Sequence, residues 1–336
     1  MKVHQNELLK AIKTVNIKDM FNIYFSGEDI IAYNDRMCLH SPFKSDFSFL
    51  IDSKLMHDFV ERVDSEEITM ALQENILIME AKGTKATLAT VLESEIIERV
   101  KEVRAELDKA TFYEIPEDFI YGAFLCMFSA SKDSALGTMT CLHVKGKTLT
   151  TGDKQRGSEY IMKGEMDEFM IEASVAAELK VLEEIKITSY GISDAWVHFI
   201  TAEETRLSVR RILGEFADYH TMISSIKGKK IKLPDGIKDT VDIASLIVEG
   251  HGVSMVHSIK IELSKNELKC VGTSETKGTI EKTTVVSYDG ADVSFFISPS
   301  FLIEVMNKAT TIIINEDNTK ALFRSERFKH VMVLPF

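Results

Sequence analysis

The sequence predicts an α+β chain made of three tandem copies of one helix-and-meander unit. Three observations predict it. An apolar strand end running into an amphipathic helix occurs three times, at Phe49 to Val60, Met170 to Leu179 and Phe296 to Met306. A helix followed by strands stands upstream of each copy, and a pair of short alternating strands stands downstream. The spacing gives units of roughly domain size, far longer than solenoid repeats.

In the first copy Gln5 to Val15 has helical spacing, with Leu8, Leu9, Ile12 and Val15 as the buried stripe. Strands follow at Phe21 to Phe25 and Asp29 to Tyr33, and Ile51 anchors the recurring segment. Its helix is capped by Asp52 and carries Leu55, Met56, Phe59 and Val63, before strands at Ile68 to Leu72 and Ile76 to Ile78. In the second copy the helix runs from Glu117 to about Phe128, the strands from Thr138 to Val144 and Thr148 to Thr151, and Ile171 is the anchor. Val175, Ala176, Leu179 and Leu182 form its second helical face, and strands come at Ile185 to Ile187 and Ala195 to Phe199. In the third copy the helix covers Ile237 to Val248, the strands Ser258 to Leu263 and Leu268 to Val271, with Ile297 as anchor. Ser298 caps the next helix with Pro299 in its first turn; Phe301, Leu302, Val305 and Met306 face inward, and strands end the copy at Thr311 to Ile314 and Ala321 to Phe323. Turn residues separate each final strand pair: Glu74 and Asn75, Ser193 and Asp194, Asp317 and Asn318. The boundaries fall at 1–92, 111–225 and 226–336, joined by a connector at 93–110. Within it Ile96, Val100, Val103 and Leu107 recur at helical spacing amid dense charge, which predicts a surface-packed helix over Glu93 to Leu107.

The composition narrows the function. With 45% hydrophobic and 27% charged residues over 336 positions, the chain is globular. A formal charge of -12 excludes wrapping nucleic acid with the whole surface, so any phosphate contact requires cations gathered on one face. Cys38, Cys126, Cys141 and Cys270 form no metal-ligand pair and read as buried apolar residues of a reducing compartment. The N-terminus lacks a signal-peptide pattern and no window reaches the length of a membrane span, so a soluble cytoplasmic protein is expected. Gly146, Lys147 and Thr148 look like the end of a P-loop, but Cys141 holds the place of its first glycine. His251 and His257 lack a third ligand nearby, Glu281, Asp289 and Asp292 are acidic neighbours at a turn, and there is no GxSxG elbow. No catalytic residue, metal or cofactor is expected.

Several segments carry a family resemblance. Leu207 to Tyr219 resembles a strand entering an Arg-Leu-Ile-Glu-Gly-Lys-Phe-Pro-Asp-Tyr motif, and the ending His330 to Phe336 resembles a Val-Met-Pro-Met tail. Gly272 to Glu281, Val285 to Gly290 and Phe295 to Met306 resemble a third-domain pattern. Together they resemble the bacterial-type DNA sliding clamp, the beta subunit of DNA polymerase III, over nearly the whole chain. The departures imply a divergent member, of a bacterium or a bacteriophage. The Thr-Asp-Gly-His-Arg loop is here Thr150 to Arg156, Ala217 and Ser224 stand where prolines are usual, and the tail stops at Phe336.

The resemblance implies three clamp-fold (processivity-fold) domains, with helices lining a pore and antiparallel sheets outside, closing into a ring. Two chains would close it head to tail, with three as the alternative, and Val253 and Met255 with the following strand are the expected third-domain edge. The implied function is a non-enzymatic processivity factor that encircles double-stranded DNA without reading its sequence and tethers the replicative polymerase. The alternative is a clamp-fold scaffold or regulator recruiting transcription or repair proteins. Exposed positions supply the expected pore cations: Lys10, Lys13 and Lys18 on and after the first helix, then Lys54, Arg62, Lys132, Lys180, Lys229, Lys230, Lys238 and Lys308. Glu178, Asp239, Asp242 and Glu304 dilute that charge. Polymerase and clamp loader would dock by short linear peptides in a pocket lined by Leu125, Thr151, Gly152, Met222, Met332, Val333, Leu334, Pro335 and Phe336.

Overall fold

The structure, a computed structural model, describes residues 1–17, 19–175, 186–234, 236–248 and 257–335, without the Lys229 side chain. It divides into two compact units, Met1–Ile115 with Ala177–Ile212, and Pro116–Ala176 with Leu213–Phe336. Elements β1 (Lys2–His4), α1 (Gln5–Val15), β2 (Asn22–Phe25), β3 (Asp29–Asn34), β4 (Met37–Pro42), β5 (Phe49–Asp52), α2 (Ser53–Arg62), β6 (Glu67–Gln73), β7 (Ile76–Ala81), β8 (Thr84–Ala89), α3 (Glu95–Leu107) and β9 (Phe112–Glu114) open the first unit. The chain then builds α4 (Phe119–Cys126), β10 (Cys141–Gly152) and β11 (Arg156–Glu172) in the second unit. It returns to the first with β12 (Ile187–Ile192), β13 (Trp196–Thr201) and β14 (Arg206–Arg210). The remaining elements belong to the second unit: α5 (Tyr219–Ser225), β15 (Gly228–Lys232), α6 (Ile237–Ser245), β16 (Ile259–Ser264), β17 (Glu267–Ser274), β18 (Gly278–Val285), β19 (Val293–Ile297), α7 (Pro299–Met306), β20 (Thr311–Asn315), β21 (Lys320–Arg324) and β22 (Phe328–Val333).

Among the described residues, each unit holds one large and one small antiparallel sheet. The first unit has an eight-stranded sheet, β5-β2-β3-β4-β14-β13-β12-β9, and a four-stranded one, β1-β6-β7-β8. The second has a six-stranded sheet, β10-β11-β22-β21-β20-β15, and a four-stranded one, β18-β17-β16-β19. Each large sheet contains a joint between strands far apart in sequence: β4 pairs β14, with His40 opposite Arg206, and β11 pairs β22, with Arg156 opposite Met332.

The helices begin where the residues satisfy their free amides. Asp52 caps α2 by accepting from the Leu55 N–H at 2.6 Å, and Ser94 caps α3 by accepting from the Ile97 N–H at 3.3 Å. At the other end of α2, the Gln5 side chain donates to the Val60 and Val63 carbonyls at 2.7 and 2.8 Å, so the first residue of α1 closes its neighbour's C-terminus.

Several expectations are corrected. The two strands expected at Thr138 to Val144 and Thr148 to Thr151 are one strand, β10. Thr138 to Thr140 belong to a 3-10 turn, and between the two expected segments β10 carries a bulge at Gly146, whose φ of 58° favours a residue without a Cβ. The α1 stripe is Leu8, Ala11, Ile12 and Val15, with Leu9 half-buried, and α2 buries Met56 and Val60 but leaves Leu55 47% exposed. On α3 it is Ile97, not Ile96, that joins Val100, Val103 and Leu107. Helix α6 ends at Ser245, ahead of Val248, Phe21 lies outside its strand, and β16, expected to continue an edge, is paired on both sides by β17 and β19. Most of the second copy's recurring helix, through Leu182, lies outside the described residues.

Candidate functional site

The expected cations occupy unequal settings. Lys10 and Lys13 are exposed on α1, but each already holds a carboxylate: Lys10 Nζ lies 2.6 Å from Glu203 and Lys13 Nζ 2.8 Å from Glu61 on α2. Arg62, also on α2, is wide open, with Asp58 3.8 Å away, and Lys54 is exposed at the start of the same helix. These four cations therefore share two packed helices. Lys132, Lys230 and Lys238 are exposed in the second unit. Lys308 is not a free surface cation: its Nζ sits 4.3 Å from the Phe128 ring centre and donates to the Glu304 carbonyl at 2.6 Å, and desolvation holds its pKa below the usual lysine value. Lys18, Lys180 and the Lys229 side chain lie outside the described residues.

The expected partner pocket is mostly packed shut. Thr151 is fully buried, its hydroxyl bonded to Ser129 and the Cys126 carbonyl, and Met332, Leu334 and Pro335 are buried too. Gly152 lies beneath the Tyr219 ring, so closely that a Cβ there would meet it at 2.3 Å. Leu125, Met222 and Val333 are half-buried, and Phe336 lies outside the described residues.

Open space lies beside these residues. A recess of about 480 Å³ is lined by His143, Lys145, Thr148, Thr150, Phe216, Ala217, Asp218, Tyr219 and His220. Beneath α5, Tyr219, Ile223 and Ile226 pack on Ile313, Leu322 and Val331, with Phe216 and Met222 partly in solvent at the rim. Tyr219 is pinned by its hydroxyl, which donates to the Asp153 carbonyl at 2.9 Å. Sequence reasoning missed Phe216, Tyr219 and His143 as lining residues, although Gly214 to Tyr219 had marked the segment as distinctive.

The turn before β11 is fixed by Arg156. Its guanidinium donates to Asp153 at 3.2 Å, to the Phe128 carbonyl at 2.9 Å and to Glu304 on α7, and it lies 4.2 Å from the Phe301 ring centre. Glu304, expected to weaken a cationic face, is thus already paired.

The edges of the small sheets differ in exposure. β8 ends one small sheet beside a recess of about 570 Å³ lined by Leu55, Phe59, Arg62 and Lys82, among others. β18 ends the other and carries Val285, 87% exposed. Val253 and Met255 lie outside the described residues. Among the described residues, no group of three or more His, Cys, Asp or Glu is placed to hold a metal, and no helix is long and apolar enough to cross a membrane. All four cysteines are buried and unpaired with one another.

No family model matches the sequence, and no curated protein matches it. Solved structures do match in shape. The DNA polymerase III subunit beta of Pseudomonas aeruginosa superposes with a TM-score of 0.79 at 15% identity, covering 99% of both chains. The beta chain of DNA polymerase III from Streptococcus pneumoniae reaches 0.83 at 15% identity, over 99% of this chain and 98% of that one. The sliding clamp of Bartonella birtlesii bound to griselimycin reaches 0.80 at 14% identity, with the same coverage. At such low identity the likeness is one of fold, and it spans the molecule: from end to end this chain has the fold of the sliding clamps that are beta subunits of DNA polymerase III.

Proposed function

We propose that the chain is a DNA sliding clamp, a processivity factor that closes around duplex DNA as a head-to-tail homodimer and tethers a polymerase. The observation that carries this reading is a rule in the strand pairing. If the domains are 1–92, 111–225 and 226–336, β4, third in the first domain's meander, pairs with β14, the last strand of the second, and the start of β11, which follows the bulged β10, pairs with β22, the last strand of the third. Applied once more, the rule pairs β18 of the third domain with β8 of the first domain of a second copy. Both are the free edges of four-stranded sheets, and such edges call for a partner. Val285 on β18 and the Leu55 and Phe59 recess beside β8 supply apolar surface for that contact.

The DNA contacts are weak and sequence-blind in this reading. Lys10, Lys13, Lys54 and Arg62 on α1 and α2, with Lys132, Lys230 and Lys238, touch phosphates only in passing, which permits sliding. Polymerase and loader peptides dock at the rim formed by Phe216, Met222 and Tyr219. The compartment is the cytoplasm of a bacterium or of a phage-infected host.

Particle mass in solution tests the closure. The wild type runs as two chains, and Val285→Lys shifts it toward one. A wild type that stays a single chain at every concentration overturns the ring, and three chains would replace dimer by trimer. Replacing Lys10 and Lys13 by Glu leaves the dimer intact and shortens residence on DNA; unchanged residence removes both from the contact surface. A clamp-fold scaffold, by contrast, would bind a partner protein without raising the length of DNA a polymerase makes per binding event.

A further inference from the structure

We propose that α3 is a splint across the β4/β14 joint, binding the strands before it and the strands after it into one rigid body. Its apolar face, Ile97, Val100 and Val103, forms a single buried cluster with Tyr24, Ile31, Cys38 and Leu50 from β2 to β5 and Trp196 from β13. The helix thus lies over strands on both sides of the joint. Two polar latches hold its C-terminal half, one to each side. Arg104 donates to Glu28 at 2.9 Å and stands 3.6 Å from the buried Asp29, which Arg206 of β14 also contacts at 3.2 Å. Glu106 accepts from the Ser193 hydroxyl at 2.6 Å and from the Ala195 N–H at 3.1 Å. The Ser193 hydroxyl is also hydrogen-bonded to His198 Nε2 at 3.0 Å, and His198 Nδ1 is hydrogen-bonded to the Ser208 hydroxyl of β14 at 2.7 Å. The latches therefore run from the helix into both halves of the sheet and meet at the joint itself.

Two residues under α3 report on it: Cys38, fully buried, and Trp196, the only tryptophan in the chain. In the full-length protein, Arg104→Ala combined with Glu106→Gln is expected to raise the rate at which a thiol reagent labels Cys38 by at least about tenfold. Cys126, Cys141 and Cys270 keep their rates, and acrylamide quenching of Trp196 rises in parallel. Labelling of Cys38 at the wild-type rate overturns the proposal. Hydrogen exchange of the unmodified protein in low urea decides the matter should the variant fail to fold. Amides of Val100–Leu107 then open in one step with those of β4 and β14, whereas joint amides that stay closed while α3 exchanges show that the helix braces nothing.

Discussion

At the β4/β14 joint the covering helix, α3, has thirteen residues and closes over Trp196; at the β11/β22 joint the covering helix, α5, has seven and leaves Phe216 and Met222 partly in solvent. Both helices follow the last strand of one repeat and lead to the next. The longer one buries four residues of its apolar face, each worth roughly 1.5–3 kcal/mol before entropy is counted. The shorter one packs Tyr219 and Ile223 and stops, so a recess remains. One joint is closely covered, while the other keeps a recess at its rim. The charged contacts differ as well: Arg104 and Glu106 tie α3 to the sheet, whereas α5 is held to β11 by His220 on the buried Glu159, and Arg156 joins the turn before β11 to α7.

The largest test places a carboxylate under each helix. Val100→Asp sets an unpaired charge in the sealed joint and should cost roughly 3–5 kcal/mol in urea unfolding, with Cys38 exposed to thiol reagents. Met222→Asp, at the open joint, should cost under about 1 kcal/mol and instead abolish binding of a polymerase-derived peptide. Equal destabilisation by the two would break the comparison.

Acid gives a smaller effect with a defined sign. Burial pushes His198 down to about 4 and His40, beside Arg206 and Arg104, down to about 3. The folded protein keeps both neutral while the unfolded chain protonates them below about 6.5, so stability is complete above that pH and lost as pH falls toward 4. His198 alone accounts for something on the order of 3 kcal/mol of this slope. The urea midpoint seen by Trp196 should fall between pH 6.5 and 4.5, above the range where carboxylates such as Glu61 and Asp218, held low by their hydrogen bonds, titrate. His198→Asn should flatten that slope. His330→Asn, at the other joint, should flatten it as well, because burial and the nearby Arg156 and Lys308 hold that imidazole well below its usual value; a midpoint flat across the window in the wild type contradicts the assignment.

Arg156→Ala should cost less than Val100→Asp. Glu304 is 40% exposed and water replaces much of what it loses, so about 1–2 kcal/mol is expected in thermal unfolding. Trp196 quenching should not change, since the residue serves only the open joint.

Local patterns were legible before the structure. Helical spacing located α1, α3 and α6, and the Asp52 cap was read directly, because these depend on neighbours three or four residues away. Periodicity could not separate Ile96 from Ile97 or Leu9 from Ala11, since it defines a face to within one residue and depth is set by what packs on it. The division of β9 to β14 between two units was invisible, because β4 meets β14 and β11 meets β22 across more than a hundred residues. The functional surface was read least well. Apolar tail residues such as Met332 and Leu334 were expected at an open pocket, but a strand paired within a sheet buries them, and the recess falls to Phe216 and Tyr219, whose motif had been noticed without a role.

Retention on DNA before and after linearisation tests the central claim most directly. Protein loaded on a closed circular plasmid should remain through repeated washing at a salt concentration that strips ordinary phosphate contacts, and should leave when a single cut opens the circle. Equal retention on the circle and the cut plasmid, or none on either, would contradict a ring that holds DNA by enclosing it.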